Sequence, residues 1–136
     1  MIYERPTTGI VVDGSCKGNP GPIQWQTVDL TTGELLHVSK PFDTGTNNIA
    51  EYLAIIHALS VTSDDSPLPY IYTDSQTAIW WLIKTKRPTH VSVTPLVEEL
   101  INKAHNWLTN HRNSVNRVRK WESKLWGENP ADFNRK

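Results

Sequence analysis

Asp13, Glu51, Asp74 and Asp132 lie far apart in the chain, yet each borders an apolar segment. Asp13 follows Ile10-Val11-Val12, which brings its carboxylate close to a core where a charge needs a partner or a metal. Asp before Gly is also an ordinary turn signal. Glu51 stands three residues after Asn48, the spacing of a helix capping box. Asp74 ends Tyr70-Ile71-Tyr72-Thr73. It can cap a following helix, or stand at the carboxyl end of a strand, where open α/β sheets build sites. Asp132 and Glu128, in Trp126-Gly127-Glu128-Asn129-Pro130-Ala131-Asp132, read singly as solvated acids at a helix start. Jointly the acids read differently. Carboxylates gathered at one sheet edge repel each other, and cations make the arrangement tolerable. An oxygen-only donor set suits Mg²⁺ or Mn²⁺ and not zinc. Two such ions about 4 Å apart serve in-line phosphoryl displacement. Spacing alone therefore marks a candidate metal site.

The elements that must position these acids follow from periodicity. Residues 9–13 form a short apolar run, the pattern of a buried central strand. A loop rich in turn residues follows, Gly14-Ser15-Cys16-Lys17-Gly18-Asn19-Pro20-Gly21-Pro22. Residues 23–30 and 35–42 pair as a hairpin about Thr31-Thr32-Gly33-Glu34. Thr46-Asn47-Asn48 offers capping side chains for a helix of about four turns carrying Ile49, Leu53, Ile56 and Leu59. A fourth strand is expected at 68–73, a second helix at 75–83 and a fifth strand at 115–121. Between the last two, Leu96, Val97, Leu100, Ile101, Ala104, Trp107 and Leu108 form the clearest helical stripe. Asn129-Pro130 is expected to start a short C-terminal helix containing Asp132. The order βββ-α-β-αα-β-α predicts an α/β fold. Its five-stranded mixed sheet has antiparallel strands one to three, then strands four and five, flanked by helices.

Composition narrows the function classes. The 136 residues predict one domain, 1–136, with a loose lead-in at 1–7. Hydrophobic residues are 38% and charged residues 21%, a globular profile. No apolar run approaches the roughly 20 residues of a membrane span. Met1-Ile2-Tyr3-Glu4-Arg5-Pro6 lacks a basic-then-apolar leader pattern, and a cytoplasmic protein is expected. Cys16 is the one cysteine, which excludes an intramolecular disulfide or a multi-cysteine metal site. Fourteen basic and fourteen acidic residues balance, which argues weakly against a nucleic-acid partner. Committing five acids to a metal site would leave nine against fourteen basic groups.

The motifs resemble those of type-1 ribonuclease H. Asp13-Gly14-Ser15-Cys16-Lys17-Gly18-Asn19-Pro20-Gly21 is similar to the family's first signature, and Thr46-Asn47-Asn48-Ile49-Ala50-Glu51-Tyr52 to its second. Tyr72-Thr73-Asp74-Ser75-Gln76 resembles the third; Trp121 with Trp126-Gly127-Glu128 and Ala131-Asp132 resembles the last, in its short bacterial form. The resemblance covers residues 8–136 in the family's order and implies the ribonuclease H-like fold. It implies hydrolysis of the RNA strand of RNA/DNA hybrids with two Mg²⁺ ions, Mn²⁺ as a possible substitute, leaving 3′-hydroxyl and 5′-phosphate ends. The implied quartet is Asp13, Glu51, Asp74 and Asp132, with Asp13 bridging the ions, Asp132 on the water side, and Glu51 and Asp74 on the leaving-group side. Glu128 matches a glutamate that assists metal exchange and product release. Asn19, Asn48 and Gln76 match minor-groove readers, suited to a 2′-hydroxyl that both donates and accepts. Thr46, Asn47 and Asn48 are implied beside them, Thr46 and Asn48 at a DNA phosphate, and Trp81 on a DNA sugar. Helical neighbours Trp80 and Trp81 cannot share a face, so one must be relatively exposed.

Two departures stand out. None of the five histidines lies between Trp121 and Asp132, and only Lys84, Lys86 and Arg87 mark the place of the basic protrusion some relatives carry. Arg112, Arg117, Arg119, Lys120 and Lys124 make the last strand region basic, either as a solvated face or as a phosphate contact. A monomer without an obligate protein partner or membrane association is expected, with the hybrid as its substrate. The alternatives are a catalytically silent module binding hybrid or double-stranded RNA, and a DNA-acting nuclease of the same fold.

Overall fold

The computed structural model describes residues 4–88 and 93–132. Its centre is β1 (Ile10–Cys16), whose Val11 and Val12 are wholly buried on opposite faces. That two-sided burial explains why the segment reads as a continuous apolar run. β2 (Gly21–Asp29) pairs antiparallel with β1, and β3 (Leu35–Val38) with β2. β4 (Phe42–Gly45) pairs with the other end of β2. The single hairpin arm expected at 35–42 is thus two short strands, and the sheet has six strands instead of five. The arm breaks at 39–41. There the Ser39 hydroxyl accepts the Trp25 N–H at 3.0 Å, and Pro41 has no N–H to offer a ladder.

α1 (Asn47–Val61) buries every residue from Ile49 to Leu59 except the half-buried His57. It packs on β1 and β2 beneath α2 (Gln76–Ile83) and α3 (Pro95–Asn110). Full burial of each Ile or Leu here contributes about 1.5–3 kcal/mol, so this helix is the main apolar anchor of the fold. β5 (Ile71–Thr73) lies parallel to β1, and β6 (Val118–Lys120) parallel to β5, giving the order β3-β2-β1-β5-β6. The fifth strand expected at 115–121 is shortened because Arg112–Arg117 winds into a 3₁₀ turn. α4 (Ser123–Trp126), one turn long, had no sequence signal. The C-terminal helix expected from Asn129 is replaced, as far as Asp132, by a turn in which the Asp132 N–H donates to the Asn129 carbonyl at 3.0 Å. The rest of that expected helix lies outside the described residues. Among the described residues, no helix is long and apolar enough to cross a membrane.

Candidate active site

β1 and β5 are parallel neighbours, with Ile10 opposite Ile71 and Val11 opposite Tyr72. Asp13 stands two residues past Val11, and Asp74 two past Tyr72, so the register brings both acids to the same sheet edge. Glu51 arrives from the first turns of α1. Its approach depends on Gly14: a Cβ there would fall 2.6 Å from the Ala50 carbonyl carbon and the Glu51 nitrogen. Without one, the Gly14 N–H donates to Glu51 Oε1 at 3.0 Å. Oxygens of Asp13, Glu51 and Asp74 all lie within 4.8 Å of one another. Asp13 is 8% and Glu51 4% exposed, while Asp74 is half-buried.

Three converging carboxylates in a poorly solvated place cannot all ionise without compensation. Burial, then the charges of Asp13 and Asp74, push the Glu51 carboxyl up to about 10, against the opposing pull of the Gly14 N–H. Glu51 also shares a hydrogen bond with Asp13, the arrangement of two acid groups holding a proton between them. A divalent cation is the alternative to that proton. The oxygen-only donors fit Mg²⁺ or Mn²⁺.

The alternative capping roles do not hold. The α1 cap is Thr46, whose hydroxyl accepts the Ile49 N–H at 3.2 Å, and Glu51 reaches across to β1 instead of back to Asn48. The α2 cap is Ser75, accepting from the Ala78 N–H at 3.1 Å, which leaves Asp74 to the acid cluster. Asp132 is half-buried and outside the 4.8 Å grouping; Glu128 is exposed and also outside it.

The polar residues expected to read substrate gather around the same edge. Asn19, in the loop after β1, accepts the Asn47 N–H on Oδ1 at 2.8 Å, joining that loop to the start of α1. Asn47, Asn48 and Gln76 are exposed, and Thr46 is half-buried by its capping role. Trp81 is the more buried of the two adjacent tryptophans. It is 6% exposed, edge-on to Tyr52 with ring centroids 6.1 Å apart. Trp80 is the exposed member, at 45%, with Lys84 and Lys86 ammonium groups 5.9 and 5.4 Å from its ring centroid. The basic run does not form one face either. Arg117 is buried, its Nε donating to the Pro69 carbonyl at 3.0 Å and its guanidinium to the Thr62 hydroxyl, whereas Arg119 lies over Tyr70.

Sequence reasoning missed two supporting residues. Gly14 reads only as a turn glycine, and Asn129 only as a helix starter. Asn129 is 3% exposed, and its amide reaches Val12, Asp74 and Ala131. No sequence signal announces contacts 117 and 55 positions distant.

With this geometry in place, similarity to known proteins becomes decisive. A family model described as RNase H matches residues 6–132. The chain belongs to the ribonuclease H family. Ribonuclease H of Methylobacillus flagellatus is 33% identical over 124 residues, covering 84% of this chain and 66% of that protein. Ribonuclease H of Nitratidesulfovibrio vulgaris strain Miyazaki F is 44% identical over 64 residues, 47% of this chain and 40% of that protein. Matches of this second kind span less than half the length of the relative. The crystal structure of LC11-RNase H1 in complex with RNA/DNA hybrid superposes with a TM-score of 0.51 at 25% identity, over 85% of this chain and 86% of that one. The ribonuclease H-like fold anticipated from the motifs is the fold observed.

Proposed function

We propose that this ribonuclease H family chain is an endonuclease that hydrolyses the RNA strand of RNA/DNA hybrids, leaving 3′-hydroxyl and 5′-phosphate ends. The observation that carries the reading is the convergence of Asp13, Glu51 and Asp74 oxygens within 4.8 Å in a chain of this family. Asp13 and Asp132 would hold one divalent cation, with Asp13 shared to a second held also by Glu51 and Asp74. Such ions activate a water and stabilise the leaving oxygen of an in-line displacement.

The chain's own residues do the rest. Glu51 would hold a cation only as a carboxylate, and the Gly14 N–H, donating to its Oε1 at 3.0 Å, would favour that charged form. Asn19, Asn48 and Gln76 offer amides that both donate and accept, the chemistry that separates a ribose from a deoxyribose. Thr46 and Asn47 stand with them at the start of α1, and Thr46 with Asn48 would contact a DNA-strand phosphate. Trp81 would pack on a DNA-strand sugar, and the exposed Trp80, with Lys84 and Lys86 over its ring, would lie near the same strand. Glu128, exposed on the segment leading to Asp132, would help release product. Mg²⁺ is the expected ion, with Mn²⁺ as substitute, and the protein is expected to act as a cytoplasmic monomer.

The test is cleavage of end-labelled hybrid, RNA duplex and DNA duplex, with and without Mg²⁺. Hybrid-only, Mg²⁺-dependent cleavage of the RNA strand is expected. DNA cleavage would establish a DNA nuclease instead, and binding without cleavage in either metal a silent module.

A further inference from the structure

We propose that Asn129 is a positioning residue that builds the fourth corner of the metal site. This inference rests on the functional reading above. Asn129 is 3% exposed, and a buried amide must find partners for two N–H donors and a carbonyl acceptor. It finds all three at the site. Nδ2 donates to the Val12 carbonyl at 3.2 Å, immediately before Asp13. The same nitrogen donates to Asp74 Oδ2 at 3.4 Å. Oδ1 accepts the Ala131 N–H at 2.7 Å, immediately before Asp132. One side chain therefore joins β1, the end of β5 and the C-terminal segment.

The segment is also held by the Trp121 indole, which donates to the Gly127 carbonyl at 3.0 Å, and by the burial of Ala131. Among the described residues it contributes no strand to the sheet, and the turn from Asn129 to Asp132 closes on a backbone hydrogen bond of 3.0 Å. Gln26, paired with Asp13 across β1 and β2, secures it from the other side, its Nε2 donating to the Ala131 carbonyl at 2.6 Å. The bond to Asp74 Oδ2 restrains the rotation of a carboxylate that also lies within 4.8 Å of Asp13 and Glu51. Partners behind metal ligands of this kind typically change metal affinity or activity by about 10–100-fold when removed.

Mn²⁺ binding to the full chain, without substrate, is measured by titration calorimetry for wild type, Asn129→Ala, Asn129→Ser and Asp13→Asn. Serine retains an acceptor for the Ala131 N–H but is too short to reach Asp74, so it keeps the turn if alanine does not fold. Folding is checked by near-UV circular dichroism at the titration temperature. A folded Asn129→Ser protein with its Mn²⁺ Kd weakened about 10-fold or more, kcat reduced and KM for hybrid unchanged is the expected result. A purely packing role would lower Tm and leave both Kd and kcat at wild-type values, and that result overturns the inference. Asp13→Asn separates the two levels. If it loses Mn²⁺ while the Asn129 variants bind normally, only the role of Asn129 falls. If it binds Mn²⁺ as wild type does, the metal site falls, and the inference with it.

Discussion

Two buried charged centres in this molecule are built on opposite terms. At one, Arg117 enters the interior and meets neutral oxygens: the Pro69 carbonyl and a Thr62 hydroxyl that itself donates to Ala58 at 2.7 Å. Burial pulls its guanidinium down from its usual value, with Asp65 opposing. The chain's own oxygens meet the charge there, the Pro69 carbonyl and the Thr62 hydroxyl. At the other, Asp13, Glu51 and Asp74 carboxyls converge, and burial with the neighbouring acid charges pushes the Glu51 carboxyl well above its usual value. The first centre is complete as folded. The second improves only when positive charge arrives from outside, as expected of a place built to bind and react.

Breaking the acidic centre should have the largest effect, and on activity. Asp13→Asn or Asp74→Asn is expected to lower kcat about a thousand-fold or more, since metal stabilisation of the transition state is worth several kcal/mol. Hybrid affinity, measured by fluorescence anisotropy, should survive. Residual turnover near the parent rate would reject the assignment. Breaking the basic centre should act on stability alone. Arg117→Met leaves the Pro69 carbonyl without its donor and should lower unfolding free energy by about 1–3 kcal/mol in urea titrations, with kcat of the folded enzyme unchanged.

The pH dependence sharpens the contrast. Glu51 holds its proton more tightly folded than unfolded. Its contribution to stability is therefore complete below the ordinary value of 4.5 and is lost as pH rises toward about 10. In EDTA, Tm should fall between pH 5 and 9, and Glu51→Gln should flatten that slope and melt higher at pH 9. Mg²⁺ should restore more stability to wild type at high pH than at low pH, because binding requires the deprotonated ligands. A Glu51→Gln slope equal to that of wild type would contradict this account. The smallest effect is expected at Trp80. Trp80→Ala should weaken hybrid binding by a few fold and leave Tm almost unchanged, while Trp81→Ala should lower stability by about 3–5 kcal/mol.

Much of this was legible in the residues because local physics carried it. Ile10-Val11-Val12 demands burial on two faces, and the acid that ends such a strand is placed by the register with its neighbour. Glu51, by contrast, reads locally as a capping acid after Asn48, and only its contact with the Gly14 N–H, 37 positions away, brings it to β1. What was not legible depends on distant contacts. A period of 3.6 residues says that Trp80 and Trp81 diverge but not which of them meets Tyr52. A run of basic residues looks solvated until Thr62 and Pro69 are brought against one of them. The break at 39–41 needed the Trp25 N–H as a partner for Ser39. Asn129 has chemistry only through residues more than fifty positions away.

The missing side chain at Gly14 sets a gauge. Strand and helix touch backbone to backbone there, so a single methyl would wedge them apart and widen the gap between the Asp13 and Glu51 carboxyls. A designer wishing to fit the proposed cation site to a larger ion should leave that position untouched and work through side-chain length at 51 or 74.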